Sequence, residues 1–474
     1  MDIAQIKQEI LNNFPYTPTN DQKQLIHDLA SFITDATPNR LFLLKGYAGT
    51  GKTTIVSSLV HVLETQLQGA VLLAPTGRAA KVLASYSGRK AFTIHKKIYR
   101  LQTNADGNIQ VAIQNNKHKN TCFIVDEASM IASGRQAEGS LFGGADLLDD
   151  LVQFVYSGKN CKLILIGDTA QLPPVKQPES MALNNHYISE NYQLIVTAFE
   201  LKEVVRQASE SGVLYNATMI RQLLANNKKG FPRFRQQGFN DFVRLHSEDV
   251  VDEINNAFHP MNLFDALIIC RSNKRANLFN QSIRQRVLYM EDEINSGDLL
   301  MVVKNNYFWL PQESEAGFIA NGDTIEIKRI NRIEEEYDLR FADLTASLVD
   351  YPEEPDIEVK IVLDTLQSDG ASLSHNQYKK LFDGISEEYA HIENKTTRLS
   401  KIRENPYLQA LQVKFAYALT CHKSQGGQWK HVFIDMGYIP ENTPDTGYLR
   451  WLYTAITRST DKVFLMNFRD DFFE

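Results

Sequence analysis

A glycine-rich loop near the N-terminus carries the clearest chemical pattern in the sequence. Residues 46–53 read Gly-Tyr-Ala-Gly-Thr-Gly-Lys-Thr, between an apolar run at 41–44 and a helical pattern at 54–63. Glycines let backbone N–H groups surround a phosphate, and the N-terminus of the following helix adds positive potential. The pattern predicts a site for ATP and Mg²⁺, in which Lys52 reaches the β- and γ-phosphates and Thr53 holds the metal. The residues predicted to surround the nucleotide from this loop are Gly46, Gly49, Thr50, Gly51, Lys52, Thr53 and Thr54.

Two further loops follow apolar runs and supply groups suited to hydrolysis. Asp126 and Glu127 come directly after the run at 122–125, where Asp126 could bind Mg²⁺ and Glu127 could polarise the attacking water. The run at 163–166 ends in a Gly-Asp turn, from which Gln171 could contact the γ-phosphate. A helix N-cap at Asp126 and a purely structural loop around Gln171 are the alternative interpretations.

Charge is distributed unevenly along the chain. The formal net charge is −7, and residues 331–356, with nine acidic and two basic side chains, account for all of it. Residues 65–105 contain seven basic side chains and residues 266–290 contain five, with no acidic side chain in either tract. Two such tracts could line one path for nucleic acid, because rows of Lys and Arg neutralise backbone phosphates. Solvated helix faces are the alternative interpretation.

The elements that must position these residues follow an α/β rhythm. At roughly 100–200 residues per domain, the 474 residues are enough for two to four domains. Short apolar runs alternate with helical patterns, which predicts parallel sheets covered on both faces. Near residue 300 the pattern changes to period-two alternation with acidic turns, typical of a β-rich insertion, and the α/β pattern returns after residue 408. The predicted strands are 41–44, 71–74, 122–125, 163–166, 266–270, 324–327, 339–349, 357–363, 432–434 and 463–466.

Composition argues against several classes of protein. With 43% apolar and 23% charged residues, the chain is expected to be globular. Its apolar runs are far shorter than the roughly 18 residues that cross a bilayer, and its first residues lack a secretory signal. We therefore expect no membrane association and a cytoplasmic location. Asp356, Glu358 and Lys360 superficially resemble a nuclease motif, but they alternate along one predicted strand and are expected to face solvent.

Taken in order, the motifs resemble those of superfamily one DNA helicases. The resemblance is to the branch of RecD, the phage helicase Dda and the petite-integration-frequency helicases, which moves 5′ to 3′. Residues 167–175 contain no aromatic residue, whereas the corresponding motif of the 3′-to-5′ branch has aromatics that stack on bases. The resemblance rests on Gln22 and on residues 46–53, 74–80, 93–95, 126–130, 167–175, 205–206, 321–323, 418–426 and 453–458.

The resemblance implies a particular fold and division of the chain. Two RecA-like cores of the P-loop NTPase class are expected, each an α/β domain with a parallel sheet. A β-hairpin inserted in the first core would act as a wedge between DNA strands, and Asp106-Gly107 between strand-like runs supports such a hairpin. An SH3-like, β-rich domain would interrupt the second core. The predicted division is 1–96 and 119–200 for the first core, 97–118 for the wedge, 201–300 and 409–474 for the second core, and 301–408 for its insertion.

Individual residue roles are also implied by the resemblance. Gln22 would read the adenine, Gly426 would lie at the nucleotide, and Arg206 and Arg458 would act as arginine fingers. Such an arginine stabilises transition-state charge and is worth about 10³ to 10⁵ in rate, while a surface salt bridge is the alternative for each. The predicted contacts with the DNA backbone are Pro75, Thr76, His95, Asn273, Lys274, Thr420, His422 and Lys423. For the two histidines, packing in a core is the alternative.

The expected function is that of an ATP-dependent DNA helicase that moves 5′ to 3′ on single-stranded DNA and unwinds duplex. Single-stranded and tailed duplex DNA would be its partners, recombination or repair proteins are further candidates, and the chain is expected to be monomeric. A translocating ATPase subunit of a recombination complex and a nucleotide-switched binding module are the alternatives. An RNA substrate also remains open, because no residue pattern reports on a 2′-hydroxyl.

Overall fold

Two parallel β-sheets and a closed β-barrel organise the chain. The structure is a computed structural model, and it describes residues 2–65, 69–103, 109–134, 146–203, 205, 210–226, 228–259, 263–311, 314, 316–370, 372–439 and 443–474. Helices flank both sheets, and the barrel is inserted in the part of the chain that forms the second sheet. The predicted fold class, two α/β cores with a β-rich insertion, is confirmed.

The first sheet contains six parallel strands, in the order β3–β2–β6–β7–β1–β8. The predicted apolar runs at 41–44, 71–74, 122–125 and 163–166 all lie within its strands, as expected for a sheet that is buried on both faces. The strands of this part of the chain are β1 (Arg40–Gly46), β2 (Gly69–Ala74), β3 (Ala91–Thr93), β4 (Tyr99–Thr103), β5 (Ile109–Ile113), β6 (Thr121–Val125), β7 (Lys162–Gly167) and β8 (Ile195–Leu201).

Helices cover the two faces of the first sheet, and alternate strand residues serve opposite faces. Phe42 and Leu44 pack with the first four helices, whereas Leu41 and Leu43 pack with the next three. The helices are α1 (Ile3–Asn12), α2 (Asn20–Thr34), α3 (Lys52–Thr65), α4 (Gly77–Ser87), α5 (Ile94–Ile98), α6 (Leu147–Ser157) and α7 (Asn185–Tyr192).

A separate antiparallel pair, β4 and β5, projects from the first core. Its register runs from Tyr99 opposite Ile113 to Thr103 opposite Ile109. These are the two strands of the predicted hairpin. The turn at 104–108, which includes Asp106 and Gly107, lies outside the described residues.

The second sheet is also parallel, in the order β16–β10–β17–β18–β9. It contains the predicted strands at 266–270, 432–434 and 463–466. The strands of the second half of the chain are β9 (Phe242–Arg244), β10 (Ala266–Cys270), β11 (Leu299–Val302), β12 (Thr324–Glu336), β13 (Leu339–Leu348), β14 (Ile357–Val362), β15 (Leu411–Phe415), β16 (Ala418–Thr420), β17 (Trp429–Asp435) and β18 (Ser459–Met466). The helices are α8 (Gly212–Ala225), α9 (Val250–Ala257), α10 (Asn273–Ser282), α11 (Asp364–Gln367), α12 (His375–Glu388), α13 (Lys395–Arg403), α14 (Cys421–Ser424) and α15 (Thr446–Ile456).

The β-rich insertion is a closed barrel of β11 to β15. Its first and last strands lie just outside or at the edges of the predicted segment 301–408, and the predicted domain division stays a proposal. One hydrophobic cluster runs from the second sheet into the barrel and includes Phe433, Ile325 and Val413. Arg284 adds a buried ion pair with Asp298, at 2.8 Å, immediately before β11. The barrel and the second core are therefore packed as one body.

Helix α4 of the first core meets the barrel at its N-terminal end. The carboxylate of Asp350 lies 3.8 Å from the guanidinium of Arg78 and 3.9 Å from the ammonium group of Lys81. The Asp323 carboxylate lies directly against Gly77, where any Cβ would collide with it. Burial, together with repulsion from Asp350, raises the pKa of Asp323 to about 8.

One orientation predicted for the barrel is wrong. Asp356 and Glu358 are exposed, as expected, but Lys360 is buried and its ammonium group lies 2.5 Å from Glu334 and 2.7 Å from Asp343. Asp343 lies directly opposite Lys360 on the neighbouring strand β13, and Glu334 reaches it from β12, so these carboxylates cover a position that simple alternation would leave in solvent. In the described part of the chain, no helix combines the length and apolar character needed to span a bilayer.

Candidate nucleotide site and DNA-binding surface

A cavity of about 330 Å³ lies between the two cores, at the carboxyl ends of β1, β6 and β7. Ligands of open parallel sheets bind at this edge, because the loops after the strands converge there. Both cores contribute walls to the cavity. The predicted site residues that line it are Gly49, Gly51, Lys52, Thr53, Asp126, Glu127, Gln171, Gly426 and Arg458.

The glycine-rich loop wraps around the ammonium group of Lys52. This group donates hydrogen bonds to the carbonyl oxygens of Gly46, at 2.6 Å, and Tyr47, at 2.8 Å. Thr50 also donates to the Tyr47 carbonyl, at 2.8 Å, and Gly51 adopts a φ of +84°, in the left-handed region. The loop thus holds the lysine in place with acceptors that a phosphate can replace, which fits a bound nucleotide.

Gln22 lies behind the loop and does not line the cavity. Its side-chain amide nitrogen donates to the Thr50 carbonyl, at 3.0 Å, and its oxygen accepts from the Thr19 amide, at 2.9 Å. Both ends of the buried amide are therefore used to brace the loop against α2. Thr54, one residue after Thr53 in α3, likewise lies outside the cavity lining. Their predicted contacts with the nucleotide stay predictions.

Asp126 and Glu127 follow β6 and face Lys52 and Thr53 across the cavity. The Tyr86 hydroxyl of α4 donates to one oxygen of Asp126, and the Glu127 amide donates to the other, at 2.8 Å. Burial, together with repulsion from Glu127, raises the pKa of Asp126. Glu127 has a φ of +52°, a conformation that costs a non-glycine residue roughly 1–3 kcal/mol and that persists here at the end of β6. Two adjacent carboxylates in this position suit a divalent cation and a water molecule.

The loop after β7 joins the first core directly to α15 of the second core. Asp168 accepts a hydrogen bond of 2.6 Å from the Tyr453 hydroxyl, which also accepts one of 3.0 Å from the amide of Ala48 in the glycine-rich loop. The Leu172 amide donates to Thr454, at 2.8 Å. Gln171 is buried at the cavity, and its side-chain oxygen has no hydrogen-bond partner among the described residues. That orphaned acceptor fits contact with a nucleotide or with the attacking water.

Arg458 extends from the end of α15 into the cavity. One guanidinium nitrogen lies 3.6 Å from the Glu127 carboxylate, and another donates to the Thr454 carbonyl, at 3.1 Å. Only 4% of the residue is exposed, so the surface salt bridge considered as an alternative does not describe it. Arg206, the second predicted arginine finger, lies outside the described residues.

Two predicted DNA-contact residues meet where the first core touches the second. Thr76 caps α4 by accepting from the Ala79 amide, at 3.2 Å, and Pro75 lies half-buried before it. Gly426 of the second core packs against this turn, where a Cβ would lie 2.7 Å from Ala79 and 3.0 Å from the Thr76 hydroxyl. The close approach of the two cores therefore requires glycine at this position.

His95 is placed differently from a charged phosphate ligand. Its ring lies 5.7 Å from the Tyr99 ring in a tilted arrangement, and burial lowers the pKa of His95 to about 4. The imidazole is therefore neutral at physiological pH and could meet a phosphate only through a hydrogen bond. His422, by contrast, is exposed in α14.

A small cleft in the second core brings together three predicted DNA-contact residues. Asn273, Thr420 and Lys423 line it with Lys414, and Lys274 is exposed beside it on α10. The ammonium group of Lys423 is buried and has no hydrogen-bond partner among the described residues. Burial and the neighbouring Lys414 lower the pKa of Lys423 to about 8. A buried cation without an acceptor is costly, so the cleft is suited to an anion.

Several cations of the two basic tracts are paired with carboxylates, so they are less available to an anion than the sequence suggests. Asp350, which belongs to the acidic segment 331–356, and Asp435 come from distant parts of the chain, whereas Glu64 and Asp298 lie close to the tracts in sequence. The structural pairs are Arg78 and Lys81 with Asp350, Arg89 with Glu64, Arg275 with Asp435, and Arg284 with Asp298. Tertiary pairing of this kind leaves no mark in the local composition of either tract.

Sequence reasoning overlooked three residues that the structure brings to these sites. Tyr86 contacts Asp126, Tyr453 joins the two cores at the glycine-rich loop, and Lys414 lies beside Lys423. Tyr453 begins the motif at 453–458, for which the resemblance implies a role only at Arg458. Tyr86 and Lys414 carry no pattern in the sequence that separates them from ordinary helix and strand residues.

Two family models match this chain. One describes an AAA domain and covers residues 18–239, and the other describes a UvrD-like helicase C-terminal domain and covers residues 415–466. The second interval begins at the end of β15 and contains β16, α14, β17, α15 and β18. Together they include the residues from both cores that form the nucleotide cavity.

Curated relatives agree with these models. An uncharacterized protein of Acanthamoeba polyphaga mimivirus is 24% identical over 94% of this chain and 99% of its own length. The ATP-dependent RecD2 DNA helicase of Deinococcus radiodurans is 32% identical over 33% of this chain and 19% of its own length. The ATP-dependent DNA helicase dda of Enterobacteria phage T4 is 26% identical over 55% of each chain. The chain thus spans less than two thirds of either named helicase.

The chain is therefore similar to superfamily one helicases of the RecD and Dda type. Both named relatives are ATP-dependent DNA helicases. Among solved structures, the Bacteroides Pif1 helicase in complex with ADP-AlF3 and ssDNA aligns over 97% of this chain and 95% of its own, with 15% identity and a TM-score of 0.47. The residues around the cavity, with the glycine-rich loop and Lys52 at one wall, fit a nucleotide.

Proposed function

We propose that this protein uses ATP and Mg²⁺ to translocate 5′ to 3′ on single-stranded DNA and to unwind duplex. The observation that carries the proposal is the contact across the nucleotide cavity, where Arg458 of the second core lies 3.6 Å from Glu127 of the first. A catalytic carboxylate and a guanidinium on different bodies meet only when the cleft between the cores is closed. Nucleotide turnover would therefore open and close the cleft.

The chemistry follows from the residues around the cavity. Lys52 would bind the β- and γ-phosphates, Thr53 and Asp126 would hold Mg²⁺, and Glu127 would orient and deprotonate the attacking water. Arg458 would stabilise the charge that develops on the transferred phosphoryl group. Mg²⁺ held by these residues would neutralise part of the negative charge of the phosphates. Gln171, with its free side-chain oxygen, is placed to position the water or to sense the γ-phosphate.

Single-stranded DNA is the proposed track. The cleft around Lys423 supports this proposal, because its buried ammonium group lacks an acceptor among the described residues and a backbone phosphate would provide one. Thr76 and Gly426 are in contact where the two cores meet, near the nucleotide cavity. Opening or closing of the cleft between the cores would therefore move the proposed DNA contacts. Backbone contacts of this kind bind any sequence.

A strand-displacement assay tests the function and its polarity. Purified protein with ATP and Mg²⁺ is given duplexes with a 5′ tail, a 3′ tail or blunt ends, and a duplex with a 5′ RNA tail. We expect unwinding of the 5′-tailed DNA, with little opening of the others. Preferential opening of the 3′-tailed duplex would contradict the polarity, and equal use of the RNA tail would contradict DNA selectivity.

The two alternative functions give different results in the same experiment. A translocating subunit of a recombination complex would hydrolyse ATP on single-stranded DNA but leave every duplex intact. A nucleotide-switched binding module would bind DNA without steady hydrolysis. Glu127, a carboxylate placed for water activation, favours the hydrolysing alternatives over the switch.

The hairpin of β4 and β5 is the proposed wedge. A rigid hairpin beside the DNA path would block one strand while the motor pulls the other. Replacing residues 103–108 with a Gly-Gly turn should lower strand displacement while ATPase stimulated by single-stranded DNA is preserved. Retention of both activities would assign strand separation to another element. A cytoplasmic location, a monomeric state and recombination or repair partners remain part of the proposal.

A further inference from the structure

Tyr86 lies at the centre of the proposed metal site, although it belongs to none of the motifs. Its hydroxyl donates a hydrogen bond to Asp126 and also interacts with the hydroxyl of Thr53. These are the two residues proposed to hold Mg²⁺. The phenol therefore contacts one proposed metal ligand directly and lies close to the other.

The position of Tyr86 is determined by two helices. The residue belongs to the last turn of α4, and its ring packs against the hydrophobic cluster beneath the first sheet. Ser57, one turn after Thr53 in α3, donates to the Tyr86 carbonyl, at 3.0 Å. The backbone of Tyr86 is thus anchored to α3, the helix that follows the glycine-rich loop, and this helps to fix the position of its ring.

Helix α4 also reaches the junction of the two cores. At its N-terminal end Thr76 and Ala79 pack against Gly426, and Arg78 stacks over Trp429 of the second core, at 4.6 Å. At its C-terminal end Tyr86 contacts Asp126. If α4 moves as a rigid body, a displacement at the junction of the cores would also displace Tyr86 at its other end.

We propose that Tyr86 is a positioning residue, which orients the Asp126 carboxylate for Mg²⁺ and links that carboxylate through α4 to the junction of the cores. The inference rests on the proposed function. Partners that orient a metal ligand are typically worth a factor of about 10 to 100 in metal affinity or activity. The phenol oxygen is suited to this task because it donates to the carboxylate without adding a charge.

The first test measures nucleotide binding, with the fluorescent nucleotide mant-ADP as the probe, in Mg²⁺ and in EDTA. In Mg²⁺, Tyr86→Phe should bind mant-ADP about tenfold more weakly than the wild type does. In EDTA, the two affinities should be equal. The matched control is Tyr156→Phe, because Tyr156 is also a buried tyrosine of the first core and donates to the Arg40 carbonyl, at 2.8 Å. This control should bind like the wild type in both conditions.

A double variant separates positioning from packing. Asp126→Asn removes the proposed metal ligand, so adding Tyr86→Phe to it should have no further effect on Mg²⁺-dependent binding. Equal losses in Mg²⁺ and EDTA, or additive losses in the double variant, would overturn the inference in favour of a packing role. Wild-type affinity in Tyr86→Phe would overturn it as well, while a wild-type chain that binds no nucleotide would overturn the proposed function itself.

The link through α4 has its own readout. At saturating Mg²⁺, Tyr86→Phe should lose a larger fraction of its single-stranded-DNA-stimulated ATPase than of its basal ATPase, by at least about twofold, whereas Tyr156→Phe should lose neither. Full stimulation in Tyr86→Phe would restrict the residue to metal positioning and overturn the proposed link.

Discussion

The nucleotide cavity and the small cleft around Lys423 in the second core, here called the DNA-side cleft, each contain a lysine that is proposed to bind a phosphate. The two sites hold the lysine in opposite ways. Lys52 donates to two carbonyl oxygens of its own loop, at 2.6 and 2.8 Å. The ammonium group of Lys423 is buried without an acceptor among the described residues, and its pKa is lowered to about 8. The first site is preorganised and stable without its ligand, whereas the second requires an anion to compensate a buried charge.

The largest expected effect is the loss of hydrolysis in variants of the nucleotide cavity. Lys52→Ala and Glu127→Gln should each lower DNA-stimulated ATP turnover by more than about a thousandfold, because phosphoryl transfer depends on charge stabilisation and water activation. Glu127→Gln should still bind Mg²⁺-ATP, since Glu127 is not a proposed phosphate ligand. Steady-state ATPase and nucleotide-binding assays decide the point, and near wild-type turnover in either variant would contradict the assignment.

Removal of the cross-cleft arginine should come next in size. We expect Arg458→Ala to lower kcat by about 10³, the lower end of the range for an arginine finger, with little change in KM, because such a residue acts on charge that develops in the transition state. The matched control is Arg244→Ala, a second-core arginine that pairs with Asp470 at 2.7 Å, away from the cavity. A rise in KM alone would make Arg458 a ground-state contact.

Substitution of Lys423 in the DNA-side cleft should have a smaller effect, seen in the affinity for single-stranded DNA and in how that affinity depends on salt and pH. Lys423→Ala should weaken single-stranded DNA binding by roughly threefold to tenfold and reduce the log–log salt slope by about 0.7, the contribution of one phosphate. The control is Lys430→Ala, an exposed lysine paired with Asp265. Fluorescence anisotropy over a range of salt concentrations measures both quantities, and an unchanged slope would remove Lys423 from the track.

The pH dependence of DNA binding follows from the same lysine. Because phosphate binding favours the protonated ammonium, affinity should be full below pH 7 and decline as the pH rises through the lowered pKa of about 8. Lys423→Ala should lose most of this decline between pH 7 and 9. A wild-type affinity that is flat over that interval would contradict the assignment.

The smallest expected effect concerns stability at the contact between the barrel and α4. The ordinary pKa of Asp323 is 3.8 and its folded value is about 8, so the folded state favours the protonated acid. The resulting stabilisation is complete below pH 4, declines as the pH rises, and is lost above about pH 8. The wild-type Tm should fall between pH 5 and pH 9, and in Asp323→Asn this fall should be smaller by roughly 2–4 °C. Asp338→Asn, at an exposed aspartate of the same barrel, should change nothing.

Much of the nucleotide site could be predicted because its residues are close together in the sequence. Residues 46–53 form a strand–loop–helix unit whose glycines and lysine act locally, and Asp126, Glu127 and Gln171 each follow a recognisable buried strand. The parallel order of those strands brings the three loops to one edge of the sheet. The pairing of the sheet edges, the barrel closure and the contacts of Gln22 required the structure, since they join segments without a shared local pattern.

The glycine-rich loop, the carboxylates after β6 and the two α/β cores follow from the amino-acid sequence, because periodicity and local motifs encode them. Which charges are neutralised by ion pairs depends on how distant segments pack. Arg78 and Lys81 lie in a tract without acids, yet Asp350 meets both of them after barrel closure. Tyr86 likewise reaches Asp126 only because α4 crosses from the core junction to the end of β6. Electrostatic interactions depend on distance in space, and separation along the chain does not report it.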